Sequence, residues 1–152
     1  MMTVSEYLNN IEQKDEQLYQ QIVNLQILTG NLGTKLNINK EQLKFLYDVC
    51  VLFFVEDLKQ KEFKSEYKFI NTIINYKNGQ EVHYFKHLLE LVFSICHYYN
   101  RLRTIYNHEY SLKIIKEYPY YPPILKNKFN EIFESDIFDD LDYSFYDLDY
   151  ED

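Results

Sequence analysis

Apolar residues recur at helical spacing along this chain, and residues that break helices are almost absent. Of the 152 residues, only three are glycine and three are proline, too few for the many tight turns of a β-sandwich or barrel. From residue 4 to residue 28 the apolar positions fall close to a 3.6-residue period, at Val4, Leu8, Ile11, Leu18, Ile22, Leu25 and either Ile27 or Leu28. The spacing predicts one long helix, capped by Thr3 or Ser5 and ended by Gly30-Asn31-Leu32-Gly33.

The same periodicity predicts further helices along the chain. They are expected at residues 39–58, 63–74, 80–102, 111–117 and 124–134. Asn39 is placed to cap the second helix, and Asn78-Gly79 forms a turn after the third. We therefore expect an all-α fold, a bundle of four to five helices over residues 1–134, with an acidic aromatic C-terminal tail over residues 135–152.

The aromatic, proline-rich segment of residues 118–123 interrupts the last two helical pieces. It reads Tyr118-Pro119-Tyr120-Tyr121-Pro122-Pro123, and its prolines predict an extended backbone. The segment suits either a strap over the bundle or a docking patch for a partner.

Negative charge is concentrated at the C-terminus. The formal net charge is −8, yet ten carboxylates and no lysine or arginine lie from residue 129 onward, so residues 1–128 carry a net charge of +2. In residues 135–152, here called the acidic tail, carboxylates alternate with Ile, Phe, Leu and Tyr, so the tail has apolar surface to bury. It can order on a basic partner, imitate a nucleic-acid backbone, or fold back onto its own body. The residues expected to meet a partner are Asp139, Asp140, Asp142, Tyr143, Asp147 and Asp149.

Other classes of protein lack their signatures here. The N-terminus has no basic region followed by an apolar stretch, and no apolar run is long enough to span a bilayer, so we expect a soluble cytoplasmic protein without a membrane partner. No glycine-rich loop is present to hold a nucleotide phosphate. His83 and His87 have a spacing that metal ligands use, but no partner helix supplies further ligands, and we predict neither a metal nor a cofactor. Cys50 and Cys96 are expected to be buried free thiols.

Residues 103 to 110 read Arg-Thr-Ile-Tyr-Asn-His-Glu-Tyr and contain the spacing Arg-x4-His-x-Tyr. This resembles the motif of HEPN-domain ribonucleases, a family of all-helical, usually dimeric toxin and abortive-infection proteins. The resemblance implies an RNA substrate, cleavage without a metal, and a homodimer. It implies that Arg103 and His108 are catalytic and that Tyr110 is a supporting or regulatory residue, which a partner antitoxin can modify. Thr104 departs from the pattern, because the family often has Asn, Asp or His directly after the arginine.

The residue types suit the cleavage of RNA. A histidine, with an ordinary pKa of about 6.5, can take a proton from a ribose 2′-hydroxyl or give one to the departing 5′-oxygen near neutral pH. The planar guanidinium of Arg103 can hold the scissile phosphate and offset its growing negative charge. On one unbroken helix Arg103 and His108 would lie about 140° apart. They converge if the helix breaks near Asn107 or if a dimer brings two copies together, and Arg101 can replace Arg103 as the phosphate ligand.

Other interpretations of these residues stay open. Arg103 and His108 can close the C-terminal end of a long helix, where cations meet the negative end of the helix dipole, while Tyr106 and Tyr110 pack as other aromatic residues do. The protein can also be a non-enzymatic inhibitor or partner-binding factor, encoded by a virus or a mobile element, whose acidic tail engages a basic protein. A further hypothesis is autoinhibition, in which the tail covers Arg101 and Arg103 until a partner removes it.

Overall fold

Helix is the regular structure in the part of the chain that is described. The computed structural model describes residues 3–54 and 88–146, and these two ranges contain no β-strand. Their six α-helices are α1 Val4–Lys14, α2 Glu16–Lys35, α3 Lys40–Leu52, α4 Leu88–Leu102, α5 His108–Glu117 and α6 Pro123–Glu131. Two 3₁₀ turns follow α6, at Ile132–Glu134 and Asp136–Asp139. The all-α prediction is confirmed for these residues.

Several expected features fall outside the two described ranges. They are the helix at residues 63–74, the turn at Asn78-Gly79, residues 80–87 of the fourth predicted helix, the pair His83 and His87, and the tail carboxylates Asp147 and Asp149.

The predicted single helix over residues 4–28 is wrong, because the chain breaks at Asp15. This residue has a non-helical backbone (φ −151°, ψ 88°) that ends α1, and its side chain accepts a hydrogen bond from the backbone N–H of Leu18 at 3.1 Å to cap α2. Aspartate is among the preferred N-cap residues. The apolar period hid this break, because it continues on the same face across the cap.

The predicted helix end at Gly30-Asn31-Leu32-Gly33 is also wrong, since α2 continues to Lys35. Both glycines lie where α3 approaches closely, Gly30 against the ring of Tyr47 and Gly33 against the side chain of Leu43. Glycine is used here for the absence of a side chain rather than for its freedom to turn. The chain turns afterwards at Asn37, which has a left-handed φ of 59°, a conformation that asparagine tolerates.

Two predicted helix caps are confirmed. Thr3 caps α1 in a capping box with Glu6, and Asn39 caps α3 in a second box, its side chain accepting from the backbone N–H of Gln42 at 2.8 Å. Each box satisfies backbone donors that the first turn of a helix leaves open. The second predicted helix is α3, which ends at Leu52 with Phe53 as its C-cap, and residues 55–58 of that prediction lie outside the described ranges.

The core is built around α2, which contacts α1, α3, α4 and α6. Its buried face consists of Ile22, Leu25, Leu28 and Leu32. The large side chains buried from the other helices are Leu46, Leu52, Ile95, Tyr99, Ile115, Leu125 and Phe129. Because α4 lies against this core, the sequence that follows it, residues 103–110, is anchored at the edge of the bundle.

The aromatic segment between α5 and α6 is a strap. Tyr121 is buried, and its hydroxyl shares a hydrogen bond of 3.1 Å with Oγ of Ser94 on α4. Lys126 Nζ donates to the carbonyls of Lys116 and Tyr118, at 2.9 and 2.8 Å. These contacts tie the start of α6 to the end of α5, as the strap interpretation requires.

Both cysteines are buried and free, as predicted. Cys50 Sγ lies 3.6 Å from the hydroxyl of Thr29. Burial raises the pKa of the Cys50 thiol to about 12 and that of Cys96 well above its ordinary value. Both sulfurs are therefore protonated near neutral pH and pack as apolar groups.

His97 on α4 is buried among aromatic rings. Its imidazole stacks on Phe93 with an interplanar angle of 2° and lies 4.3 Å from the ring centroid of Phe53. Burial, with a smaller contribution from the charge of Arg101, lowers the pKa of His97 to about 3. The folded protein therefore keeps this histidine neutral between about pH 3 and pH 6.5, a range in which an unfolded chain would protonate it.

The free energy of unfolding is expected to fall as the pH falls from 7 to 5. The unfolded state binds a proton at His97 below about pH 6.5 while the folded state does not until about pH 3, so stability is lost across this window. The loss at pH 5 is about 2 kcal/mol relative to pH 7. Urea unfolding at both pH values checks it, with the His97→Phe variant as control. An equal pH dependence in the parent and the variant would show that His97 is not the source of the loss of stability.

Candidate functional site

The chain breaks its helical path between Arg103 and His108. Helix α4 ends at Leu102, and the backbone N–H of Tyr106 donates to the Leu102 carbonyl at 2.7 Å. Asn107 then adopts an extended conformation (φ −72°, ψ 176°), and its side chain accepts from the backbone N–H of Tyr110 at 2.9 Å to cap α5. Asparagine favours this position because its short side chain reaches the open donors of the first turn. Asn107 thus shapes the site through its cap, and the break lies within the motif.

Arg103 and His108 are joined through one phenol. Nη1 of Arg103 donates to the hydroxyl oxygen of Tyr99 at 3.0 Å, and the same oxygen lies 2.9 Å from Nδ1 of His108. Tyr99 is fully buried, Arg103 is 3% exposed, and His108 is partly exposed. The break thus overcomes the poor convergence of the two residues on a continuous helix, and it does so within one chain.

The hydroxyl of Tyr99 can either accept a hydrogen bond from His108 or donate one to it. Arginine only donates, so the Tyr99 oxygen uses one lone pair to accept from Arg103. It can use its second lone pair to accept from Nδ1–H, or it can donate its own proton to Nδ1. Either arrangement places Nε2 on the side of the imidazole away from Tyr99.

Two phenylalanines from the C-terminal turns form a wall beside His108. The ring centroids of Phe133 and Phe138 lie 4.6 and 4.8 Å from that of the imidazole. Phe133 also contacts Tyr99, at 5.0 Å between centroids. The wall orients the imidazole and limits the access of water to one side of it.

Tyr143 of the acidic tail covers Arg103. Its ring centroid lies 4.4 Å from Cζ of the guanidinium, and its hydroxyl donates to Oδ1 of Asn100 at 2.7 Å. Tyr143 is 7% exposed, and burial raises its pKa well above the ordinary value of 10.0, so it is a neutral phenol. A cation over an aromatic face is attracted to the ring quadrupole, and more strongly when water is excluded.

The residue before Tyr143 is held by α2. Asn24 Nδ2 donates to the carbonyl of Asp142 at 2.7 Å, and Oδ1 of Asn24 accepts from the Asp142 N–H at 3.0 Å. On α4, Asn100 Nδ2 donates to the carbonyl of Gln21 at 3.0 Å. The described part of the tail therefore folds back onto its own body, which is one of the three uses expected for it.

The remaining predicted site residues lie elsewhere. Tyr110 is two residues beyond His108, about 200° around the helix. It is 48% exposed, and its ring packs on Tyr106 at 4.7 Å between centroids. Arg101 is exposed on the last turn of α4, and Asp139 and Asp140 are exposed on the tail. Neither Tyr110 nor these carboxylates join Arg103 and His108.

The carboxylate of Asp142 points back to its own segment. It accepts a hydrogen bond from the backbone N–H of Ser144 at 2.9 Å, and hydrogen bonding to Ser144 lowers the pKa of Asp142 below 3.8. Within residues 3–54 and 88–146 no group of three or more His, Cys, Asp or Glu side chains is placed to hold a metal ion.

A groove of about 930 Å³ lies between α2, α3 and the turns that follow α6. Its charged lining residues are Lys35, Lys44, Asp48 and Asp140. Neither Arg103 nor His108 lines it, so the groove is separate from the motif.

Sequence reasoning missed Phe133 and Phe138, which contact His108, and three polar residues of the site, Tyr99, Asn24 and Asn100. Tyr99 had a detectable signal, because it lies four residues before Arg103 and such pairs share a helix face. Asn24 and Asn100 had none, since their partners are 118 and 43 residues away along the chain.

Comparison with models of known families, with curated proteins and with solved structures returned no match. The likeness to HEPN ribonucleases therefore rests on residues 103–110 and their helical setting.

Replacing Asn24 with alanine is expected to lower the free energy of unfolding by about 2 kcal/mol, because both backbone groups of Asp142 lose their partner. Asn31→Ala is the matched control, since Asn31 is exposed on the same helix and bonds the carbonyl of Ile27 in its own helix. Urea unfolding of the three proteins measures the difference. Equal losses in the two variants would contradict the docking of Asp142 on α2.

Proposed function

We propose that the protein is an endoribonuclease of HEPN type that cuts RNA without a metal, in a toxin or defence role. One observation carries the proposal, the hydroxyl of Tyr99 that links Arg103 to His108 across the helix break. Two residues of the right chemistry, five positions apart, share one buried partner. A shared buried partner holds the two side chains in a fixed relation to each other, as a catalytic site requires.

The proposed reaction forms a 2′,3′-cyclic phosphate. The ribose 2′-oxygen attacks phosphorus as its proton passes to Nε2 of His108, and the bond from phosphorus to the 5′-oxygen breaks. The departing oxygen then takes a proton from the imidazolium, so His108 ends as it began. The positive charge of Arg103 offsets negative charge that develops on the phosphorane.

Arg103 cannot touch a phosphate while Tyr143 covers it. At 3% exposure its guanidinium has almost no surface for a ligand. We therefore propose that the described conformation is closed, and that release of residues 141–146 opens the site. Arg101 is exposed two residues earlier, and it is the proposed first contact for RNA in the closed state.

The proposal places the protein in the cytoplasm, where its RNA substrate lies, and includes a homodimer and an antitoxin partner. The homodimer and the partner come from the family likeness. Tyr110 is exposed beside Tyr106, so a modifying partner can reach its hydroxyl without disturbing Tyr99.

A second candidate function is a non-enzymatic binding protein. Phe138 and Phe145 are 37% and 46% exposed, beside the exposed carboxylates Asp139 and Asp140. Aromatic groups among carboxylates suit a basic protein surface. Binding of this kind would be lost on neutralising Asp139 and Asp140, whereas His108→Ala would leave it intact.

Labelled single-stranded RNA, incubated with the purified protein in excess EDTA, is expected to be cut to products ending in a 2′,3′-cyclic phosphate. His108→Ala is expected to lower the rate at least about 100-fold, because the proton-transfer group is gone. Glu109→Ala is the control, since Glu109 is the exposed neighbour on α5. Absence of cleavage both by the parent protein and by Tyr143→Ala, a variant designed to open the site, would contradict the ribonuclease proposal.

Tyr143→Ala is that opened variant and is expected to raise the cleavage rate about tenfold, because it removes the ring over Arg103 and the bond to Asn100. Phe145→Ala serves as the control, since it truncates an exposed aromatic of the same segment. Circular dichroism confirms that both variants stay folded. A rate unchanged by Tyr143→Ala would show that the tail does not inhibit the site.

A further inference from the structure

We infer that Tyr99 is a positioning residue, which holds His108 in the tautomer that the reaction needs. The inference rests on the proposed function and deepens it, because it assigns the hydrogen-bond direction at the centre of the site. Tyr99 lies outside the Arg-x4-His-x-Tyr motif, four residues before Arg103. Its hydroxyl oxygen contacts both Nη1 of Arg103 and Nδ1 of His108, at 3.0 and 2.9 Å.

The direction of the second hydrogen bond follows from the chemistry. A histidine that takes a proton at Nε2 needs its lone pair there, so its own hydrogen must be on Nδ1. Nδ1 is the nitrogen that faces Tyr99. The phenol oxygen has two lone pairs, one for Nη1 of Arg103 and one for Nδ1–H of His108.

This arrangement is unchanged by the proton transfer. Nδ1 carries hydrogen both in the neutral tautomer and in the imidazolium, so Tyr99 accepts the same bond before and after His108 takes the proton. The hydrogen bond therefore keeps Nε2 in one position throughout the reaction. A metal-binding or catalytic histidine is commonly fixed in the same manner, through the nitrogen that does not react.

Arg103 holds the phenol in place. Its Nη1 bond to Tyr99 spans four residues of chain, from the end of α4 to the first residue past it. The ring of Tyr99 is further enclosed by Phe129, Phe133 and Tyr143, at centroid distances of 5.4, 5.0 and 6.5 Å. The hydroxyl therefore has little freedom to leave His108.

The test uses Tyr99→Phe, which removes the hydroxyl and keeps the ring. Tyr121→Phe is the matched control, since Tyr121 is also buried and its hydroxyl also has a side-chain partner, Ser94. The first readout is the tautomer of His108 at pH 8, from the ¹⁵N shifts of its ring nitrogens. The parent and Tyr121→Phe are expected to carry hydrogen on Nδ1, and Tyr99→Phe is expected to shift toward Nε2–H.

The second readout is RNA cleavage. Tyr99→Phe is expected to lower kcat on the order of tenfold with KM little changed, while Tyr121→Phe leaves both near the parent values. Hydrogen on Nδ1 in Tyr99→Phe as in the parent, or equal kinetics of the two variants, overturns the inference while the ribonuclease proposal stands. Hydrogen on Nε2 in the parent overturns both the inference and the role of Nε2 as the base. Absence of cleavage by the parent and by Tyr143→Ala defeats the ribonuclease proposal, whereas the tautomer of His108 decides separately whether Tyr99 positions it.

Discussion

An arginine side chain that is 3% exposed brings a positive charge into the protein interior, where an isolated charge would be strongly destabilising. The guanidinium of Arg103 lies between two phenols, with Nη1 bonded to the hydroxyl of Tyr99 and Cζ over the ring of Tyr143. These contacts tie three separate parts of the chain together, namely α4, the start of α5 through His108, and the tail. The contacts among α4, the start of α5 and the tail thus meet at this buried cation.

The tail illustrates how an acidic segment can pack on a protein without an ion pair at its anchor. Its docking groups are neutral: the backbone of Asp142 pairs with Asn24, and the phenol of Tyr143 bonds Asn100. Carboxylates such as Asp139 and Asp140 stay exposed, where hydration stabilises them. Two apolar residues of the tail, Ile137 and Tyr143, join the core, while carboxylates near them in sequence face water.

The same contacts give the proposed site two properties that conflict. Burial of Arg103 orders the phenol that holds His108, yet it also removes the guanidinium from any phosphate. A ribonuclease built this way is closed at rest, and its activity depends on the balance between Tyr143 and a competing ligand. A free-energy difference of a few kcal/mol between the two states is enough to keep the open state at a small population. In the proposed ribonuclease, Arg103 would serve both regulation, through its contact with Tyr143, and catalysis, through its charge.

The sequence by itself determined the local features: the helical class, the capping boxes at Thr3 and Asn39, and the position of Asn107 where a break was needed. Such features depend on side chains that bond backbone a few residues away, so a short window contains all the information. Tertiary structure alone decided that α2 runs through Gly30 and Gly33, because close packing of α3 there favours a residue without a side chain. It also decided that Tyr143 covers Arg103 and that Asn24 holds Asp142, contacts between residues 40 and 118 positions apart. No local pattern records these contacts, since they form only when the helices have assembled and bring distant polar groups within hydrogen-bond distance.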